Sequence, residues 1–132
     1  MPYQNIKKVV EPNPYWTIRF NMDDINIEHP ENFFINFDDA LAELEMGRIP
    51  FIVLSPPNPI NDIAFLQVAK NENMLIHVQA GTVDPTKKNN ITIVYKDDVS
   101  TGDVLHMFCE FFNKGELDVS GWKELQYITP VY

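Results

Sequence analysis

The chain reads as an α+β protein, an antiparallel sheet built on a meander of about five strands with two main helices packed on it. Three observations predict this. "IAFLQVAK", "MLIHVQAG" and "NNITIVYKDD" follow one another with period-two apolar patterning, and a short polar "NEN" joins the first two as a hairpin. "NFDDALAELEMG" and "STGDVLHMFCEFFNKG" have helical periodicity instead, with stop signals at Gly47 and Gly115. The 132 residues carry no repeat, low-complexity tract or Gly/Ser linker, so residues 1–132 read as a single domain with its own core.

Taken in order, "YWTIRFN" alternates Trp16, Ile18 and Phe20 against Tyr15, Thr17 and Arg19, the pattern of a half-buried first strand. The first helix is expected over Phe37–Met46, with Asn36 as N-cap. Its apolar arc is Phe37, Ala40, Leu41 and Leu44, and its acids occupy the rest. "PFIVLS" is a buried strand, ended by the stiff, proline-rich "SPPNPIND". In the meander, alternation assigns Leu66, Val68, Ile76, Val78, Ile91, Ile93 and Tyr95 to the core face, and Gln67, His77, Gln79 and Thr92 to a more polar one. Ser100 and Asp103 have capping-box spacing at the start of the second helix, whose wide apolar arc predicts deep burial. "SGWKELQYI" is read as a last edge strand, and Trp122, Phe111 and Phe112 as core.

Composition narrows the function. A hydrophobic fraction of 45% with 12% aromatics belongs to a folded globule, so the net charge of −9 sits on a folded surface. That charge disfavours nucleic acid and anionic lipid, which reward Lys and Arg, and favours a basic partner. The single cysteine, Cys109, makes no internal disulfide, and "MPYQNIKKVV" has no long apolar h-region, so a cytoplasmic location is expected.

Catalytic motifs are sparse. His29, His77 and His106 have no second ligand at metal spacing, and His106 with Cys109 at i,i+3 reads as a surface His beside a packed thiol. No P-loop, G-x-S-x-G or G-x-G-x-x-G occurs. The paired acids, Asp23 with Asp24, Asp38 with Asp39 and Asp97 with Asp98, lack the order of a calcium loop. No metal, cofactor or catalytic residue is expected.

The acid itself is the strongest signal. Between Arg19 and Arg48 stand Asp23, Asp24, Glu28, Glu31, Asp38, Asp39, Glu43 and Glu45, without one Lys or Arg. Asp38 and Asp39 are explained by the dipole at a helix start, whereas Glu43 and Glu45 fall in the last turns, where the dipole disfavours acid. A surface serving solubility alone intersperses both signs. These eight residues are therefore assigned to docking a basic protein; Tyr15, Phe33, Phe34 and Tyr127 are candidates for an apolar centre, with core packing the commoner role of such aromatics and the first expectation for each.

The order of helix, apolar strand, "AFLQVAKNENMLIHV" hairpin, further strand and "DVLHMFCEFFNKGELDVSGWKEL" resembles the small immunity proteins of bacterial polymorphic-toxin and contact-dependent inhibition systems. It is similar to inhibitors of deaminase toxins, in which a late helix with paired aromatics is followed, after a short spacer, by a Trp near the C-terminus. Phe111, Phe112 and Trp122 match that pattern. The resemblance implies a non-enzymatic inhibitor that binds one cognate toxin domain, a nucleic-acid-targeting deaminase or nuclease, and occludes its active site or substrate cleft. Two other readings stand beside it: an adaptor that adds a partner strand to a sheet edge, and a small hydrolase using His77 and an acid on the polar sheet face.

Overall fold

The structure is a computed structural model that describes residues 13–84, 86 and 91–125. One antiparallel sheet contains β1 (Thr17–Arg19), β2 (Asp24–Asn26), β3 (Phe51–Ser55), β4 (Ile63–Lys70), β5 (Ile76–Val83), β6 (Ile91–Asp97) and β7 (Lys123–Glu124), in the spatial order β2-β1-β3-β4-β5-β6-β7. The helix α1 (Phe33–Glu45) links β2 to β3, and α2 (Thr101–Lys114) links β6 to β7. The expected α+β architecture is present, with seven strands rather than about five. The strand absent from the sequence reading is β2, only three residues long and acidic at its start.

Both helices lie on one face of the sheet. Ile52, Leu54, Leu66, Val68, Val78 and Ala80 point up from the strands, and Phe37, Leu44, Phe108 and Phe111 press down from the helices, all essentially excluded from water. Aromatic rings join the helices to each other: Phe33 stacks on Phe112 at 4.1 Å and Phe37 on Phe108 at 4.5 Å. Trp16 meets Phe111 and Phe112 edge-on, which anchors the chain just before β1 to α2. Trp122 is only half-buried, at the border of this core rather than within it.

The second helix follows its sequence signals. Ser100 Oγ accepts the Asp103 N–H at 3.1 Å, and Gly115, at φ 68°, closes the helix by donating to the Phe111 carbonyl. Only Val104, Phe108 and Phe111 are fully buried, so the helix is less deeply set than its wide apolar arc suggests. Leu105, Met107, Cys109 and Phe112 are half-covered. One helix can press only part of its circumference against a sheet and a neighbouring helix.

The first helix differs at its start. It begins at Phe33, four residues before the expected Phe37, entered through a 3-10 turn over Pro30–Asn32. Asn32 is the N-cap, without a side-chain cap bond, and Asn36 lies inside the helix. Burial of Phe33 against Phe37 and Phe112 outweighs the cap that Asn36 would have made. Gly47 at φ 73° follows the helix end, as its left-handed preference predicts.

In β6 the expected facing is reversed. Its register with β5 sets Ile93 opposite Gly81 and Tyr95 opposite Gln79, so Ile91, Ile93 and Tyr95 share the face of Gln67, Gln79 and His77. Thr92 and Val94 turn instead towards the helices, opposite Thr82 and Ala80. "ITIVY" is apolar at both phases, so alternation could not choose between them and the pairing decided. Among the described residues, no helix covers this second face. On it the Phe65 ring lies over Gly81 so closely that an added Cβ would stand 2.2 Å from a ring carbon.

Candidate protein-interaction surface

The eight acids assigned to docking are distributed over three places. Asp24 sits in β2 on the open sheet face, opposite Arg19 in the register. Asp23, Glu28 and Glu31 belong to the exposed segments on either side of β2 and in the 3-10 turn. Asp38, Asp39, Glu43 and Glu45 ride on α1. The structure therefore does not gather the eight into one compact patch.

The early start of α1 changes which acids need explaining. Asp38 and Asp39 lie beyond the first turn, where the favourable dipole interaction has faded, and no acid occupies that turn. Conversely, the helix end receives cations from elsewhere: Arg48 pairs with Glu43 at 3.3 Å, and Lys70, from β4, donates to the Glu45 carbonyl at 2.5 Å. Glu43 and the helix C-terminus are thus partly compensated, contrary to the expectation that they carried the unexplained charge. Asp38 and Asp39 have no such partner among the described residues. With Phe34 and Ile35, 55% and 63% exposed, they line the solvent side of α1 at i,i+3 and i,i+4 spacing. Phe33, by contrast, is core, and Tyr15 is exposed. Tyr127 lies outside the described residues.

Beside α1 the sheet is wider than the helix layer. Ile25 in β2 pairs with buried Ile18 and faces the helices, yet it is 50% exposed because α1 stops short of the sheet edge. The gap is a cleft of about 300 Å³ between the β1–β2 hairpin and the first turns of α1. Ile18, Phe33 and Phe37 form its floor, and Phe20, Ile25 and Ile27 its apolar wall. Its rim is polar, with Glu28, His29 and the amide side chains of Asn26, Asn32 and Asn36, and among the described residues it contains no Lys or Arg.

On the open sheet face a second constellation forms. His77 Nδ1 lies 2.6 Å from Asp97 Oδ1, Gln79 Nε2 lies 2.9 Å from His77 Nε2, and Asn71 donates to the same Asp97 oxygen at 3.2 Å. The His77 hydrogen bond, reinforced by Asn71, holds the Asp97 carboxyl below the usual aspartate range. The register of β5 and β6 thus supplies an acid for His77, which no local motif indicated. Both imidazole nitrogens are engaged, so this His has no free nitrogen for proton transfer unless Gln79 moves aside. Farther away, burial raises the Cys109 thiol, with Glu110 and Asp38 adding to it, which keeps it protonated and unreactive at neutral pH. Among the described residues, no group of three or more His, Cys, Asp or Glu side chains is placed to hold a metal, and no helix is long and apolar enough to cross a membrane.

The sequence reading missed the cleft. Its signal was the alternation of Ile25 and Ile27 in "DDINIE", a strand pattern outweighed by the acids around it. No family model matches the chain, and neither the curated proteins nor the solved structures contain a match.

Proposed function

We propose that this protein is a non-enzymatic inhibitor that binds a basic, nucleic-acid-targeting toxin domain, a deaminase or nuclease, and occludes its substrate cleft or active site. The observation that carries this reading is the solvent face of α1, where Phe34 and Ile35 stand beside Asp38 and Asp39. Among the described residues neither the helix dipole nor an ion pair accounts for those acids, and no folding contact accounts for the two large apolar side chains exposed beside them. Carboxylates complement a cleft built for phosphate, while the apolar pair supplies a centre to desolvate. Complementary charge also accelerates encounter, which suits an inhibitor of a lethal enzyme.

The adaptor reading has less support, because among the described residues the edge strands β2 and β7 are three and two residues long, and the tail "QYITPVY" that it would use lies outside the described residues. A catalytic reading rests on His77 and Asp97, and unchanged cellular effect in a His77→Ala variant would remove it.

The test is capture of partners by the purified chain at low and at high salt, followed by association kinetics of Asp38→Lys/Asp39→Lys. A basic toxin domain should be recovered, less at high salt, and the reversal should slow low-salt association by about tenfold or more. Equal on-rates for the variant and the native chain would sink the proposal.

A further inference from the structure

We infer that the cleft between the β1–β2 hairpin and α1 is an anchor pocket for one arginine side chain of a protein partner, which deepens, and rests on, the reading of the chain as a binder of a basic protein. The cleft's shape and its charge point the same way. At about 300 Å³ it has room for a long side chain, and its walls are apolar along their depth and polar only at the mouth. A wholly aliphatic anchor would fill the depth but cover the rim carboxylate and amides without pairing them. An acidic anchor would face Glu28, which has no ion pair among the described residues, and the one lining imidazole, His29, already lies 3.4 Å from Glu31. A long cation satisfies both zones: its methylene stem lies along Ile25 and Ile27, and its head meets Glu28.

Arginine suits the pocket better than lysine. Half-buried Phe20 lines the cleft with aromatic surface against which a planar guanidinium packs, and the exposed Asn32 and Asn36 offer side-chain oxygens to its remaining N–H groups. At the start of α1 two amides already have partners in the preceding turn, Asn32 N–H donating to the His29 carbonyl and Phe33 N–H to that of Pro30.

The experiment uses the full chain with isotope-labelled isoleucine methyls, titrated with N-acetyl-arginine amide and, in parallel, with the citrulline and leucine counterparts. The Ile25 and Ile27 methyls should shift saturably with the arginine probe while the fully buried Ile52 stays still. Citrulline, of the same shape without the charge, and Glu28→Gln should each weaken the response about tenfold. Equal or stronger shifts with the leucine probe, or no shift with arginine up to the highest concentration that leaves the rest of the spectrum unchanged, would overturn the assignment. The wider reading fails separately. Arginine in the cleft with no salt-sensitive partner captured defeats the toxin-inhibitor proposal alone, whereas capture without methyl shifts defeats only the anchor pocket.

Discussion

"FFINF" places two phenylalanines of opposite fate within one turn, and replacing each in turn separates folding from binding. Phe37 is fully buried and stacks on Phe33 and Phe108. Its truncation to Ala should cost about 3–5 kcal/mol, the usual range for a large aromatic lost from a core. Phe34 is 55% exposed, so folding removes a little under half of its surface from water. For a side chain of about 200 Å² that is roughly 90 Å², or about 2 kcal/mol at ~25 cal/mol/Å², and about 1.5 once the unfolded chain's own compaction is discounted. Phe34→Ser should therefore lower the thermal midpoint by about 5–8 °C, and Phe37→Ala by about 9–25 °C, at about 3–5 °C per kcal/mol for a domain of this size. Binding should reverse the ranking at Phe34: a desolvated interface centre loses about 2 kcal/mol or more on truncation, near thirtyfold in affinity. Urea or thermal unfolding gives the first quantity, and affinity for the captured partner the second. A Phe34→Ser protein as unstable as Phe37→Ala would refute the exposed placement, and full affinity in a stable Phe34→Ser would refute the interface.

Four further outcomes follow from the fold. Gly115→Ala adds a left-handed penalty of about 1–2 kcal/mol and a Cβ only 2.7 Å from Ile60 Cγ2, so it should destabilise by about 2–5 kcal/mol. Gly102→Ala, where the added methyl meets nothing, should be neutral or stabilise by up to about 1 kcal/mol, and calorimetry of the pair checks both. Ser100→Ala should cost about 1 kcal/mol by removing the bond to the Asp103 N–H, with Ser100→Thr recovering most of it in denaturant titration. Asp97 is more acidic folded than unfolded, so its contribution is present above the ordinary aspartate value and fades as pH falls through the lower folded value. The stability gap between native and Asp97→Asn should accordingly be small, since the carboxylate is half-exposed, and close on acidification; a gap that widens in acid would contradict the His77 pairing.

The helices and the meander were readable wherever a local signal had one meaning. Ser100, Asp103 and Gly115 bracket α2 because a cap and a left-handed stop act within a few residues. "NEN" became a turn between β4 and β5, with Asn71 Oδ1 accepting from the Asn73 and Leu75 amides. Where one stretch satisfied two patterns, sequence alone chose wrongly. Asn36 looked like a cap, but the distant ring of Phe112 draws Phe33 into the core and starts the helix earlier. "ITIVY" had no preferred phase until its pairing with β5 imposed one.

The same division runs through the candidate site. Composition and order by themselves determined an acidic, aromatic-rich α+β domain whose carboxylates crowd the first third of the chain, because net charge and periodicity are properties of the chain alone. Only tertiary structure decided which of those carboxylates remain uncompensated. Arg48 pairs with Glu43, and Lys70 reaches the Glu45 carbonyl across 25 positions of sequence, while among the described residues Asp38 and Asp39 receive no such neighbour. The pairing of His77 with Asp97 and the cleft beside Ile25 likewise arise from the register of paired strands and from a sheet wider than its helix layer. Such contacts join residues far apart in the chain, and a local pattern does not encode which distant partner will meet it.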